Sequence, residues 1–326
     1  MTQLRPPGDL HRRPLGTTGL LVTPICIGCT PHGGNARGYG GRVDEAQSLA
    51  FLRAALDGPL NYLDTASQYG DGESERRIGL ALRECGGLPP GFVLQTKAGR
   101  DPRTGEFSGD RMRWCVERSL RLLGLDRIQM LYLHDPQHTT FESAIAPGGP
   151  VEALRRLKDE GVVEHLGVAG GDVEPALRLI ETGLFEVVIT ANRYNLLTRE
   201  TEPVVEAGHR AGMAVLSAAP YGAGILLTGA VPGAIFMYRE APPFLLERTA
   251  RIEALCRRHG VRLPAAALQF ATRDPRITAT IVGMSTTAML EETIELATAP
   301  IPDAFWAELE PLLPPPEERV TAMLGR

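Results

Sequence analysis

The chain reads as an α/β protein of the (β/α)8 barrel class, and three observations predict it. Eight strand-like runs alternate with helical runs along the 326 residues. Most of those runs are apolar nearly throughout, as strands covered on both faces of a parallel sheet must be. The helical segments between them close on glycine, the residue that most readily ends a helix in the left-handed conformation. Eight βα units in one chain close most simply into a single barrel, and a hydrophobic content of 43% supplies the core for it. No linker, low-complexity run or repeat beyond the βα period interrupts the chain, so residues 1–326 read as one domain.

The elements follow in order. HRRPLGTTGLLVTP, from His11, predicts a β-hairpin capping the bottom of the barrel. The strands are ICIGCT from Ile25, NYLDTA from Asn61, FVLQTKAG from Phe92, IQMLYLHD from Ile128, VEHLGVAG from Val163, EVVITAN from Glu186, AVLSAAP from Ala214 and TATIVGM from Thr278. After the first, DEAQSLAFLRAALDG spaces Leu49, Leu52 and Leu56 by three and four, with Gly58 as a stop signal. RMRWCVERSLRLLG, VEALRRLKDEG, VEPALRLIETG and TARIEALCRRHG behave alike, and DAFWAELEPLL, from Asp303, predicts an extra C-terminal helix. Three connections are longer than a barrel needs: Gly99 to Asp110, Asp135 to Pro150 and Gly222 to Arg248. Each follows a strand and so belongs to the C-terminal face, where long loops shape a substrate pocket. The last carries Phe236, Tyr238 and Phe244, candidates for a lid or a sugar-stacking wall, with ordinary core packing as the competing reading.

Composition excludes several classes of function. A formal charge of −5 with interspersed Arg and Glu provides no basic face for nucleic acid. The start of the chain lacks the apolar stretch of a signal peptide, and no apolar run reaches the ~18 residues of a membrane span. Five cysteines are too few and too odd for a disulfide framework. The expectation is a cytoplasmic protein with a small-molecule partner, no nucleic acid and no membrane.

The chemistry gathers on three consecutive strand ends. Asp64 closes the second predicted strand, Tyr69 lies in the turn after it, and Lys97 and His134 close the third and fourth. Neighbouring parallel strands run about 4.8 Å apart, which brings the four side chains to one rim. A free tyrosine, pKa about 10, is a poor acid or base at neutral pH. A cation at about 4 Å in an effective dielectric of about 20 is worth roughly 4 kcal/mol, or about three pKa units before desolvation opposes it. Asp64 would keep the buried Lys97 charged, Lys97 would tune Tyr69, and His134 would orient a substrate oxygen. Singly each residue has a bland explanation; together at one rim they read as acid/base machinery.

DTASQYG followed by ESERRIGLAL, the isolated lysine of FVLQTKAG, LHDP and the opening RRPLGTTGL resemble the aldo-keto reductases over nearly the whole chain. AAPYGAGIL from Ala218 and LPAAALQF from Leu263 are most similar to the sugar 1-dehydrogenase branch acting on L-fucose, L-galactose or D-threo-aldoses. The resemblance implies a nicotinamide cofactor over the barrel mouth, with Tyr69 as proton donor or acceptor, Lys97 and Asp64 tuning it and His134 positioning the carbonyl. It also implies cofactor contacts from Asn192, Pro220, Gly222, Gly283, Ser285, Thr286 and Glu292.

Relatives that prefer NADP usually place Lys or Arg after the eighth strand to hold the 2′-phosphate. Here no Lys or Arg occurs between Arg276 and Arg319, and a phosphate would meet Ser285, Thr286 and Glu292, so NAD is the expected cofactor. Backbone amides at the helix start near Thr286 leave NADP open. Two departures from the family stand out. Ala169-Gly170-Gly171 replaces the usual Ser-Asn that grips the carboxamide, and Ala218 stands where a Tyr usually stacks on the nicotinamide, with Tyr221 the nearest substitute.

Rival readings are weaker. GGNARGYGG, Gly33 to Gly41, is glycine-rich, yet no G-x-G-x-x-G follows Ile27 and Gly28, and a six-stranded dinucleotide fold would leave two βα units over. Cys26 and Cys29 lie three apart on a strand and point to opposite faces, which argues against a metal or redox pair. His134 and His138 have zinc-helix spacing, but Asp135-Pro136 breaks any helix, so no metal is expected. A cofactor-binding redox sensor without turnover would have no need of the four acid/base residues. Pyridoxal, a ketone or a simple aldehyde stay open as substrates, as do monomer and homodimer.

Overall fold

The computed structural model describes residues 10–34 and 43–324. Antiparallel strands β1 (Arg13–Pro14) and β2 (Leu21–Val22) form the leading hairpin, followed by β3 (Ile25–Gly28) and α1 (Glu45–Leu56). Next come β4 (Tyr62–Asp64), α2 (Glu73–Cys85), β5 (Val93–Gly99), α3 (Gly109–Leu123) and β6 (Ile128–His134). The short α4 (Phe141–Ile145), then α5 (Pro150–Asp159), β7 (Val163–Gly170), α6 (Val173–Glu181), β8 (Val187–Ala191), α7 (Glu202–Arg210) and β9 (Ala214–Ala218) continue the alternation. α8 (Ile225–Thr228), a hairpin of β10 (Ile235–Phe236) and β11 (Arg239–Glu240), α9 (Pro243–His259) and α10 (Leu263–Thr272) precede β12 (Ala279–Gly283). α11 (Thr287–Thr298), α12 (Asp303–Leu309) and α13 (Val320–Met323) complete the described chain.

The closed barrel runs β3-β4-β5-β6-β7-β8-β9-β12 and back to β3, with parallel pairing throughout. All eight strand runs legible in the sequence are its staves. Apolar side chains on their outer faces meet the helices, while the inner faces and the hairpin share a separate interior layer that includes Leu15, Val22, Cys26, Tyr62, Met130, Tyr132 and Ile281. The hairpin therefore plugs the barrel from below. Asn61 locks it there: its side-chain Oδ1 accepts from the Thr23 backbone amide at 2.8 Å, and its Nδ2 donates to the carbonyls of Leu21 and Gly91 at 2.8 and 2.7 Å.

The helices start and stop for local reasons. Asp44 caps α1 in a reciprocal box with Gln47, Ser108 accepts the Arg111 amide at 3.1 Å, and Thr286 accepts the Met289 amide at 3.2 Å. Gly124 and Gly260 end α3 and α9 in the left-handed conformation, with φ of 71° and 65°. Gly58 does not serve in this way. α1 ends on a right-handed Asp57, and a Cβ at Gly58 would lie 3.0 Å from the Ala54 carbonyl, so close backbone approach explains the glycine.

The stretch from Gly222 to Arg248 differs from its reading as one long connection, because it holds α8, the β10/β11 hairpin and the first turn of α9. These pieces are too short for any periodicity to show in sequence. Within it Phe236 is a core residue, Phe244 packs against the same core, and Tyr238 alone of the three aromatics faces the barrel mouth. Cys26 lies in the barrel interior and Cys29 in the outer layer, both buried and unpaired as thiols. Of the glycine-rich run, Gly33 and Gly34 are described and residues 35–41 lie outside the described residues. Among the described residues no helix is long and apolar enough to cross a membrane.

Candidate active site

A cavity of about 450 Å3 opens at the C-terminal end of the barrel, lined by Asp64, Tyr69, Lys97, His134, Asn192 and Gly283 among others. The four acid/base residues named from sequence are all in it. Register explains why. Asp64 pairs with Gln95 across β4 and β5, and Gly99 with His134 across β5 and β6, so Lys97, two residues before Gly99, faces inward between Asp64 and His134.

The Lys97 ammonium is the hub. It donates to the Tyr69 hydroxyl at 3.0 Å, to the Thr65 carbonyl at 2.9 Å and to Asp64 Oδ2 at 2.7 Å, and lies 2.6 Å from Asp64 Oδ1. Lys97 and Asp64 are 3% and 2% exposed, so their attraction acts in little water. Burial alone would pull the Lys97 pKa down, but Asp64 and Tyr69 outweigh it and hold it raised. The ammonium stays charged.

Tyr69 departs from the simple expectation. Burial pushes its pKa up, Lys97 pulls it down, Asp64 pushes up again, and the net direction is upward. The phenol-lowering cation is in place, yet the Asp64 carboxylate that keeps it charged also cancels part of its field. At rest Tyr69 is thus a neutral phenol with its proton available to an oxygen in the cavity.

The turn that carries Tyr69 is fixed by backbone contact. Gly70 has a φ of +64°, and a Cβ there would fall 2.0 Å from the Gly33 carbonyl oxygen, so the turn packs directly on the loop after β3. His134 lies edge-on to Tyr69 with ring centroids 6.0 Å apart. Burial lowers its pKa to about 4, against a smaller upward pull from Asp135, so the ring is neutral near pH 7. Its Nδ1 is buried without a protein partner.

The residues tied to a cofactor by resemblance divide into two groups. Asn192 and Gly283 line the cavity; Asn192 adopts a φ of 62° and its buried Oδ1 has no protein partner. Pro220, Gly222, Ser285, Thr286 and Glu292 do not line it. A Cβ at Gly222 would meet the Phe236 ring at 2.9 Å, Ser285 reaches the Met289 sulfur at 3.4 Å, and Thr286 caps α11. Glu292 is ion-paired with Arg262, which also reaches Glu295 at 3.1 Å. A guanidinium thus stands beside α11 after all, brought from the start of α10, where a scan of the segment after β12 could not find it. Tyr221 packs in the outer core, 3% exposed, away from the mouth, which removes it as the aromatic at Ala218.

Gln68 and the wall candidate Tyr238 line the cavity as well. Gln68, in the turn between Asp64 and Tyr69, donates to the Arg100 carbonyl, and Tyr238 reaches the mouth from the tip of the β10/β11 hairpin. Met237 and Tyr238 hold φ values of 48° and 68°, the two left-handed positions of a tight hairpin turn, with no glycine to advertise it.

Cavity, unpartnered acceptors and glycine-lined approach suit an extended, amide-bearing cofactor: Asn192 Oδ1 can accept from a carboxamide, and Gly28, Gly33 and Gly283 let backbone come close. Comparison with known proteins agrees. Residues 24–313 match the family model described as "Aldo/keto reductase family". The chain is 32% identical over 293 residues to a D-threo-aldose 1-dehydrogenase from Pseudomonas sp, covering 82% of this chain and 88% of that one. It is 28% identical to a pyridoxal 4-dehydrogenase from Microbacterium luteolum, covering 92% and 96%. The holo form of an aldo-keto reductase from Bacillus halodurans superposes with a TM-score of 0.76 at 22% identity, covering 94% and 97%, and so shares the fold. With a closed (β/α)8 barrel, four acid/base side chains at its mouth and a family match across most of its length, this chain belongs to the aldo/keto reductase family of oxidoreductases.

Proposed function

We propose that the protein oxidises the anomeric hydroxyl of an aldose to the lactone, and in reverse reduces a carbonyl, with NAD as the preferred partner. The observation that carries the proton-transfer half is the 3.0 Å contact between Lys97 and Tyr69 inside the cavity. A bound nicotinamide supplies the hydride acceptor or donor. Tyr69 takes the hydroxyl proton in oxidation and returns it in reduction, the same transition state approached from two sides. Lys97 stabilises the phenolate that oxidation requires, Asp64 keeps Lys97 charged, and neutral His134 offers a ring nitrogen to the substrate oxygen. Asn192 and Gly283 would meet the cofactor.

The aldose reading is supported by the 32% identity to a D-threo-aldose 1-dehydrogenase and by Tyr238, an aromatic face at the mouth on which a sugar ring can stack. The NAD reading is supported by Arg262, whose charge is committed to Glu292 and Glu295 and so is not free for a 2′-phosphate. In this reading the protein works in the cytoplasm as a monomer or homodimer.

The deciding experiment follows absorbance at 340 nm with a panel of aldoses, aldehydes and pyridoxal, each run with both cofactors. Turnover of an aldose with NAD at a higher kcat/KM than with NADP is the expected result. An NADP preference of tenfold or more would overturn the cofactor reading. Turnover confined to pyridoxal or simple aldehydes would replace the substrate, and tight cofactor binding with no turnover at all would favour a sensor.

A further inference from the structure

Beneath the floor of the cavity, the barrel interior holds three polar side chains that the proposed reaction does not use. Tyr62 on β4, Gln95 on β5 and Tyr132 on β6 are each 0% exposed. Their neighbours in that layer are Cys26, Val93, Met130, Leu216 and Ile281. Such a layer needs no polar groups to fill it, and a buried polar group left unpaired destabilises the fold. Here none of the three is left unpaired. The Tyr62 hydroxyl donates to Gln95 Oε1, and the Tyr132 hydroxyl donates to the same oxygen at 2.7 Å. Gln95 Nε2 then donates to Asp64 Oδ1 at 2.6 Å.

The direction of this chain is fixed by its own chemistry. A glutamine side chain has one accepting and one donating end, and the two phenols occupy the accepting end. The amide nitrogen must therefore face Asp64; turned over, the carbonyl oxygen would oppose a carboxylate. Asp64 itself accepts two hydrogen bonds, from Lys97 at Oδ2 and from Gln95 at Oδ1, with the Lys97 nitrogen also ion-paired 2.6 Å from Oδ1. The Lys97 contacts alone would leave the carboxylate free to swing about its bond toward the ammonium. The Gln95 hydrogen bond, from a side chain locked on two sides, removes that freedom.

We propose that Gln95, clamped by Tyr62 and Tyr132, is a positioning residue that holds the Asp64 side chain oriented toward Lys97, and through Lys97 sets the proton affinity of Tyr69. The inference rests on the dehydrogenase reading above. It separates from a merely packing role because an amide dipole, not its volume, is what Asp64 receives. Removing the positive end of that dipole leaves the field at Tyr69 more negative and moves the phenol's ionisation to higher pH.

Two variants test it. Gln95→Glu keeps the shape: while protonated, the new carboxyl can donate to Asp64 and accept from both phenols, whereas its ionised form sets two carboxylates side by side. Carbon-13 NMR of the glutamate carboxyls in the cofactor-free protein should show one additional group titrating about two pH units above the ordinary 4.3. kcat should stay within about threefold of wild type below that titration and fall by tenfold or more above it, with KM little changed. The triple variant Tyr62→Phe, Gln95→Met, Tyr132→Phe leaves no polar atom unpaired except on Asp64. It should melt as a folded protein with kcat lowered tenfold or more and KM unaltered. An introduced carboxyl that titrates at the ordinary glutamate value would overturn the inference, as would a folded triple variant with wild-type kcat. If the triple variant fails to fold, the NMR titration of Gln95→Glu decides alone. A wild-type protein that turns over no substrate sinks the dehydrogenase reading instead, and the titration still reports on Gln95 and Asp64.

Discussion

The Lys97 ammonium sits 3.0 Å from the Tyr69 hydroxyl and 4.7 Å from the centre of its ring, so one cation faces both the oxygen and the π-system of the same side chain. In the proposed reaction the transferred proton passes beside that charge. The relationship depends on two separate strand ends keeping their register, and it makes particular substitutions informative.

Tyr69→Phe removes the transferable proton and leaves the ring, its turn and the Gly33–Gly70 backbone contact intact. We expect kcat to fall by about 10² or more with cofactor affinity little changed, read by steady-state kinetics and fluorescence titration of the cofactor. Near-normal turnover would remove Tyr69 from the chemistry.

Lys97→Met leaves the Asp64 carboxylate buried with only Gln95 as donor. Breaking a buried ion pair on one side costs about 3–5 kcal/mol, so the variant should lose both turnover and several degrees of melting temperature. Asp64→Asn together with Lys97→Met removes both charges and should recover most of the stability and none of the activity. A single variant that melts like wild type would show that the pair contributes little to folding.

Much of this was legible beforehand, and the limits are instructive. Asp64, Lys97 and His134 announce themselves because each is a charged or titratable residue closing an apolar strand, and Tyr69 because it follows Asp64 in the turn, a pattern that core packing does not produce. Tyr238 was named only together with Phe236 and Phe244 as a candidate wall, and its place at the mouth did not show, since its hairpin strands are two residues long and its turn lacks glycine. Arg262 did not, because it comes from another helix and meets Glu292 only when α10 packs on α11. The net upward shift of Tyr69 was equally hidden: sequence names the cation, but the balance against burial and Asp64 needs the depth of all three.

Two imidazoles predict how stability follows pH. Burial lowers the pKa of both His134 and His32 from 6.5 to about 4. His32 is held neutral between the Ser48 hydroxyl, 2.7 Å away, and the Met284 carbonyl, 3.0 Å away, stitching the loop after β3 to the one after β12. The unfolded chain takes up these protons near pH 6.5 and the folded chain only near pH 4. Their contribution is therefore fully present above pH 6.5 and is lost as pH falls toward 4, by at most about 3 kcal/mol each. Urea unfolding between pH 7 and 4.5 should show this loss, and His32→Gln should flatten the slope by about one proton. Equal slopes in the two proteins would contradict the assignment.

The Arg262 clasp can be opened. Glu292→Gln with Glu295→Gln frees the guanidinium beside α11 without touching the four residues at the mouth. The ratio of kcat/KM for NADP over NAD should rise about tenfold or more, in line with one charge-assisted contact to a phosphate. An unchanged ratio, with the protein folded, would mean that Arg262 lies out of reach of the cofactor and that the NAD preference has another cause.

Because the leading hairpin stoppers the barrel from below, the described residues form a cup open at the mouth. The hydroxyl hydrogens of Tyr62 and Tyr132, fully buried at its base, then meet deuterium past the tetrad or through a rupture of the hairpin seal. Their exchange lifetimes become a clock for that seal: slow in the intact chain, and shortened by any change at Leu15, Val22 or Asn61 that lets solvent in from underneath.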